Sequence, residues 1–275
     1  MLLKIPFEGT VSREKGTARG PAAVSRMLDE QVELYDYLIG QDISKKVRII
    51  EKSIKVEKKE RVENLVRKTE KESGRYFAKG KLPVILGGEH SVSIGAILAA
   101  KKFFKNLTVI QIDAHGDLRD DNSDYEEDQK KITKYAHSCA MRRVYETGCQ
   151  LVQIGVRSIS PVENEFIRKE KIGKNIFFAP VKASYKKIIS RCPNKKVYLT
   201  IDADGFDPSV MPATGTPEPE GLGWNWALEF FRELFSKKEV IGFDIVEVSP
   251  KAGCKRTEYA AAKLLYHLIG LKFLI

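Results

Sequence analysis

The sequence predicts a layered α/β fold: a mostly parallel central sheet flanked by helices, giving three layers. Three observations lead there. Short, continuous apolar runs recur at residues 83–86, 107–112, 151–156, 176–179, 197–201 and 240–246. Runs that are apolar throughout, rather than alternating, are the pattern of strands covered on both faces. Stretches with helical spacing separate them, at residues 92–102, 138–147, 162–171, 184–190, 224–235 and 257–268. Alternation of strand and helix is what a parallel sheet requires, because each crossover needs an element long enough to return the chain. The third observation is that clusters of Asp and His follow directly on several of the apolar runs. In open α/β sheets ligands bind at that carboxyl edge.

The chain has 275 residues, with 43% hydrophobic and 31% charged residues. This is enough for a sizeable core, and no internal repeat or low-complexity linker divides it, so one domain over residues 1–275 is expected. No apolar run is long enough to span a bilayer. The segment Met1 to Pro6 lacks the features of a signal peptide. A cytoplasmic protein without membrane contact is the expectation. The four cysteines, Cys139, Cys149, Cys192 and Cys254, form no C-x-x-C pair and are expected to be reduced thiols. A net charge of +10 raises the question of nucleic acid. The lysines between Lys45 and Lys81 are, however, interleaved with glutamates, as on a solvated amphipathic helix, and no nucleic-acid-binding signature accompanies them.

The chemistry is carried by three clusters. Asp113-Ala-His115-Gly-Asp117 follows the run 107–112. In extended chain, residues i, i+2 and i+4 point the same way, so two carboxylates and an imidazole converge. Crowded carboxylates repel one another, and a divalent cation is the usual remedy. Asp202-Ala-Asp204-Gly-Phe-Asp207-Pro208 follows the run 197–201 and adds Asp202 and Asp204. Asp207 is read as a brace for the irregular loop 207–223, which holds four prolines and three glycines. The third cluster, Gly87-Gly88-Glu89-His90-Ser91, puts His90 between a strand and a helix. Taken singly, His90 reads as readily as a capping or core histidine. Together, His90, Asp113, His115, Asp117, Asp202 and Asp204 exceed what one ion needs. Their oxygen-rich chemistry suits Mn²⁺ better than a thiolate zinc site, and a bridged ion pair can activate water.

These residues bring the chain to a family it resembles, the ureohydrolases, which include arginases and agmatinases; agmatinases are the better likeness. The resemblance begins at Ile5-Pro-Phe-Glu-Gly and Gly16-Thr-Ala-Arg-Gly-Pro21. It passes through the three clusters, His137 and Met141-Arg-Arg143, and ends at Gly215-Thr-Pro-Glu-Pro219 and Gly242-Phe-Asp-Ile-Val-Glu247. It implies an arginase-like fold with two Mn²⁺ per subunit. One ion would be held by His90, Asp113, Asp117 and Asp202, the other by His115, Asp113, Asp202 and Asp204, with Asp113 and Asp202 bridging. A hydroxide between the ions would attack a guanidinium carbon. Glu247 would bind the guanidinium and His137 would help protonate the leaving amine. Read without the resemblance, Glu247 is a strand-end ion pair and His137 a helix N-terminal residue.

The resemblance further implies a small guanidino substrate, polyamine biosynthesis and a homo-oligomer, trimer or hexamer. Agmatine, giving putrescine and urea, is the favoured substrate, because Leu118-Arg119 stands where arginases carry residues for an amino-acid head. Aminopropylagmatine, guanidinobutyrate and arginine are the alternatives. Ser138 replaces the glycine that commonly follows the histidine in this family. The acid-rich stretch 120–131 is longer than its counterpart in the family and reads either as a solvated surface insertion or as an attractor for a longer polycation. Two rivals stand beside these readings: a thiol mechanism through Cys139, and a non-catalytic metal-binding relative.

Overall fold

A computed structural model describes residues 1–12 and 14–275. The strands are β1 (Leu2–Ile5), β2 (Tyr35–Asp36), β3 (Gln41–Asp42), β4 (Glu51–Ser53), β5 (Val84–Gly87), β6 (Leu107–Ile112), β7 (Gln150–Val156), β8 (Ile176–Phe178), β9 (Lys196–Asp202) and β10 (Glu239–Val246). The helices are α1 (Gly20–Glu30), α2 (Val62–Phe77), α3 (Ser91–Phe103), α4 (Ala140–Glu146), α5 (Pro161–Lys169), α6 (Tyr185–Ser190), α7 (Trp224–Lys237) and α8 (Arg256–Leu274). Eight strands form one sheet in the order β4-β1-β5-β10-β9-β6-β7-β8. Every pairing in it is parallel. A separate antiparallel pair, β2 with β3, lies outside this sheet.

The three layers are visible in how successive strand residues divide. Leu2, Leu86, Ile110, Ile112, Leu199, Ile201 and Ile245 pack with side chains of α1, α6, α7 and α8. Leu3, Ile5, Ile85, Val109, Tyr198 and Val246 pack with α2, α3, α4 and α5. Neighbouring residues thus bury on opposite faces, as the period of two demands, and both faces carry a core. This is why the strands are apolar throughout. Fully burying a side chain of this size contributes roughly 1.5–3 kcal/mol, so a strand of four to seven residues secures its place by area alone.

The predicted strands all form, within one or two residues at each end, as do the predicted helices except the last, which runs on from the expected Leu268 to Leu274. Residues 138–147 divide into a 3₁₀ turn, His137–Cys139, followed by α4. Among the elements not foreseen, besides the β2–β3 pair, are β1 and α1. β1 is only four residues long, too short to display a period, yet it lies inside the sheet between β4 and β5. α1 buries Ala23, Val24, Met27 and Leu28 along one face behind a proline at its first turn. One expectation is corrected. Residues 45–81 are not one amphipathic helix. The chain first adds β4 to the sheet edge, and the helix begins only at Val62. Isoleucine and valine are spread through residues 49–56, and a partner strand is available in β1, where Lys4 Nζ meets Glu51 Oε2 at 2.6 Å. β-Branched residues with a neighbour to pair with favour strand over helix.

The segment after β9 is drawn tightly against the segment after β6. A Cβ placed on Gly205 would stand 2.7 Å from the amide nitrogen of Asp113. Only glycine permits that approach. A Gly205→Ala substitution is expected to lower unfolding stability by about 1–3 kcal/mol. Urea denaturation of the two proteins measures the difference, and equal midpoints and slopes would contradict it.

Candidate metal centre

The strand order brings the three clusters together. Along the chain β5, β6, β9 and β10 come in that order, but in the sheet they lie side by side as β5-β10-β9-β6. His90 follows β5, Asp113 follows β6, Asp202 ends β9 and Glu247 follows β10. Four adjacent carboxyl ends therefore open on one point.

Around that point the carboxylates face two imidazoles. His90 Nδ1 lies 2.9 Å from Asp117 Oδ2, 3.0 Å from Asp113 Oδ2 and 3.5 Å from Asp202 Oδ2. His115 Nδ1 lies 3.2 Å from Asp204 Oδ2 and 3.5 Å from Asp113 Oδ1. All of these residues are buried except His115, which is partly exposed. Two sets of donors result, His90–Asp113–Asp117 and Asp113–His115–Asp204, each able to hold an ion and sharing Asp113. Asp202 stands beside the first set, with its Oδ2 turned to His90. Every one of the six predicted ligands is thus in the cluster.

The cluster's other atoms are already engaged, and this aims it. His90 Nε2 lies 2.9 Å from Thr200 Oγ1, which donates to Asp244 Oδ1 at 2.6 Å. With Nε2 tied to that pair, Nδ1 is buried without a hydrogen-bond partner and points among three carboxylates. A lone pair so placed fits a cation, and an imidazole fixed from behind through its other nitrogen is the usual support of a metal ligand. Gln153 donates to Gln111, and Gln111 donates to Asp113 Oδ2 at 2.6 Å. The backbone N–H of His115 donates to Asp113 Oδ1 at 2.6 Å, that of Asp204 to Asp202 Oδ1 at 2.8 Å, and that of Ala114 to Asp204 Oδ1 at 3.1 Å. Thr216, from the proline-rich loop, donates to Asp204 Oδ2 at 3.0 Å. Asp207 braces that same loop, accepting from the amides of Ser209 and Gly221.

Two positions store backbone strain here. Asp117 (φ 53°) and Glu247 (φ 61°) lie in the left-handed region without being glycine. Such a conformation costs on the order of 1 kcal/mol or more and survives where surrounding contacts enforce it. For Glu247 those contacts are visible. Its N–H donates to Gly88 O at 2.8 Å, and its Oε1 accepts from the N–H of His90 at 2.7 Å. Glu247 is thereby fastened to the His90 turn.

Not every polar residue at this edge joins the cluster. His137 is half-buried at the start of its 3₁₀ turn, and its contacts run to Thr10 and Tyr125. Cys139 is fully buried. Burial pushes its thiol up to about 12, so it is no ready thiolate, and the mechanism through Cys139 loses its nucleophile. All four cysteines are free, as expected from their spacing.

Sequence reading passed over the supporting residues: Thr200, Asp244, Gln111, Gln153 and Thr216. A signal was there. Gln111, Gln153, Thr200 and Asp244 each interrupt an otherwise apolar strand and are completely buried. A polar residue inside such a run must find a partner, and here the partners are the ligands.

A profile of the arginase family matches residues 1–270. The chain belongs to the arginase family. It is similar to the N(1)-aminopropylagmatine ureohydrolase of Synechocystis sp., at 36% identity over 279 residues, 98% of this chain and 88% of that protein. It is also similar to the agmatinase of Pyrococcus horikoshii, at 32% identity over 98% of this chain and 91% of the relative. Among solved structures, the agmatine ureohydrolase of Thermoplasma volcanium superposes with a TM-score of 0.83 at 30% identity, covering 98% of this chain and 88% of that one. The arginase-like fold and the ureohydrolase class of enzyme are thereby established for this arginase-family chain.

The titration of the cluster follows from its crowding. Burial opposes charge on both histidines, but the surrounding aspartates hold His90 and His115 well above the usual histidine value. Burial, and then the Asp113 charge, pushes Asp117 up to about 7. Burial followed by Asp204 raises Asp202, and burial followed by Glu89 raises Glu247. Burial works against ionisation of Asp113 too, but His115 and His90 outweigh it and hold that carboxyl low. Each raised group stabilises the metal-free fold below its ordinary value and loses that contribution as pH rises through its raised one. Asp113 has the opposite sign, and its contribution is complete above about pH 4. Chelated protein is therefore expected to melt at lower temperature at about pH 8.5 than at about pH 6, and added Mn²⁺ to raise Tm more at the higher pH. Melting curves in chelator and in Mn²⁺ test this; a metal-induced gain that shrinks with rising pH would contradict it.

Proposed function

We propose that this chain, acting as one domain over residues 1–275, is a dimanganese ureohydrolase that removes urea from a guanidino-alkylamine. N(1)-Aminopropylagmatine is proposed as the best substrate, ahead of the agmatine that the sequence motifs favour, because the relative at 36% identity is named for it. The observation that carries the reading is the buried convergence of His90, Asp113, His115, Asp117, Asp202 and Asp204 with the partnerless Nδ1 of His90 among them.

In this reading the two donor sets hold two Mn²⁺, with Asp113 shared and Asp202 beside it. Oxygen ligands with a minority of imidazole favour Mn²⁺ over softer metals. When bound, such a pair supplies the Lewis acidity that activates water near neutral pH. The protein's own groups do the rest. Glu247 receives the planar cation through charge-assisted hydrogen bonds, its position set by its tie to the His90 amide. His137 supplies the proton that the departing amine needs, since a neutral amine leaves far more readily than its anion. Urea and the free amine result: the triamine from aminopropylagmatine, putrescine from agmatine.

Two observations bear on the substrate's tail. The relative at 36% identity is named for aminopropylagmatine, the one at 32% for agmatine. Three of the six acids of residues 120–131 are paired with neighbouring cations. Asp120 pairs with Arg143 and Lys134, Asp124 with Arg119, and Asp128 with Lys131. This supports a surface insertion over an attractor for polycations, so the tail preference does not rest on that loop. Arg119, engaged with Asp124 and set over the Tyr125 ring, is not free to receive an α-carboxylate, which weighs against arginine.

Urea release in Mn²⁺ with aminopropylagmatine, agmatine, guanidinobutyrate and arginine tests the proposal. The first is expected to give the highest kcat/KM, with arginine about 100-fold lower or worse. Arginine as the best substrate would overturn it. Metal analysis should return about two Mn²⁺ per chain, with activity lost on chelation and restored by Mn²⁺. A Glu247→Gln variant should lose about 10–100-fold in kcat/KM, the worth of one charge-assisted hydrogen bond.

A further inference from the structure

The histidine assigned to the leaving amine is itself held by a short chain of side chains that begins in the N-terminal loop. The backbone N–H of His137 donates to Thr10 Oγ1 at 3.0 Å, and His137 Nδ1 lies 3.4 Å from the same oxygen. Thr10 Oγ1 lies 2.6 Å from Glu89 Oε1, and the Thr10 N–H donates to Glu89 Oε2 at 2.7 Å. Ser91 donates its hydroxyl to Glu89 Oε1 at 2.6 Å. Glu89 is completely buried, one residue before His90.

Counting protons fixes the direction of the chain. A threonine hydroxyl has one hydrogen to give and two lone pairs to receive with. With Glu89 as the carboxylate, its oxygens can only accept, from Ser91, from the Thr10 amide and from the Thr10 hydroxyl, so the Thr10 hydrogen goes to it. The Thr10 oxygen is then left with two lone pairs. One takes the His137 amide, and only a protonated Nδ1 can use the other. A bare Nδ1 would set lone pair against lone pair.

We infer that Glu89 and Thr10 are positioning residues which lock His137 in the Nδ1–H tautomer and leave Nε2 as its working nitrogen. The Tyr125 ring, with centroids 5.9 Å apart and its hydroxyl 2.9 Å from Ser138 Oγ, closes the other side and opposes rotation of the imidazole. Among the described residues no hydrogen bond reaches Nε2. In a turnover Nε2 takes up one proton released by the water that is consumed and passes it to the departing nitrogen, while the other proton stays on Nδ1, donated to Thr10 Oγ1 throughout. That use rests on the ureohydrolase reading; the tautomer itself does not.

The test reads both. In ¹⁵N-histidine-labelled, Mg²⁺-loaded protein at about pH 8, where imidazole is neutral, two-bond ¹H–¹⁵N correlations distinguish the tautomers. His137 is assigned by the signals lost in His137→Asn. The wild type and Thr10→Ser should show Nδ1–H, and Thr10→Val should lose that preference. An Nε2–H tautomer in the wild type, or an unchanged spectrum in Thr10→Val, would overturn the inference. In urea release, Thr10→Val should lower kcat about 10–100-fold at unchanged KM and metal content, with Thr10→Ser restoring it. An unchanged kcat in Thr10→Val would remove the functional half. A wild type that hydrolyses no guanidino compound would sink the ureohydrolase reading alone, since the spectra still decide the tautomer.

Discussion

Four aspartates are buried at one end of the sheet, and only two imidazoles accompany them. That imbalance is the constraint on which the rest of the structure depends. Like charges this close cannot all ionise without compensation, and removing them from water costs several kcal/mol each. The chain therefore fixes Asp113, Asp202 and Asp204 by hydrogen bonds from amides, a hydroxyl and a glutamine, leaving the free lone pairs turned inward. The result is a site already shaped for cations and expensive to keep without them.

The scaffold answers that demand with rigidity. The ligands come from the ends of strands packed on both faces, not from long free loops. Where a loop must contribute, it is anchored. Thr216 reaches Asp204, and Asp207 holds the loop's own amides. Glu163 caps α5 with Ser160 and also accepts from the amide of Leu118, directly after Asp117. Even the unfavourable backbone at Asp117 and Glu247 serves this end, because it turns two carboxylates toward the cluster that an ordinary strand end would send elsewhere.

Support is layered around the ligands in the same manner. Asp244 orients Thr200, which orients His90. Gln153 orients Gln111, which orients Asp113. Each outer residue is a single polar interruption in an apolar strand. Such residues were legible in the sequence as anomalies, but not as partners, because most of the pairs, Gln153 with Gln111, Thr200 with Asp244 and His90 with Thr200, lie tens of residues apart in the chain. The six candidate ligands were legible because each cluster shows its own local spacing. Glu247 and His137 stood out only through likeness to a family; in isolation each is an ordinary polar residue at the end of an element. β1 and α1 escaped for a different reason. Four apolar residues and one short helical stripe do not exceed the background of a chain this rich in aliphatic side chains.

By itself, then, the sequence determined most of the strands and helices of the layered fold, the residue types able to ligate metal, and the edge of the sheet on which they would lie. Those follow from periodicity and from the chemistry of each side chain, which are local properties. Tertiary structure alone decided that β10 and β9 come between β5 and β6, and so that the clusters after β5, β6 and β9 share one point with Glu247. It also decided which nitrogen of His90 is left bare, and that a threonine near the N-terminus holds His137. Neighbourhood across a sheet is set by which faces can be buried together, a property of the whole packed chain that no single segment carries.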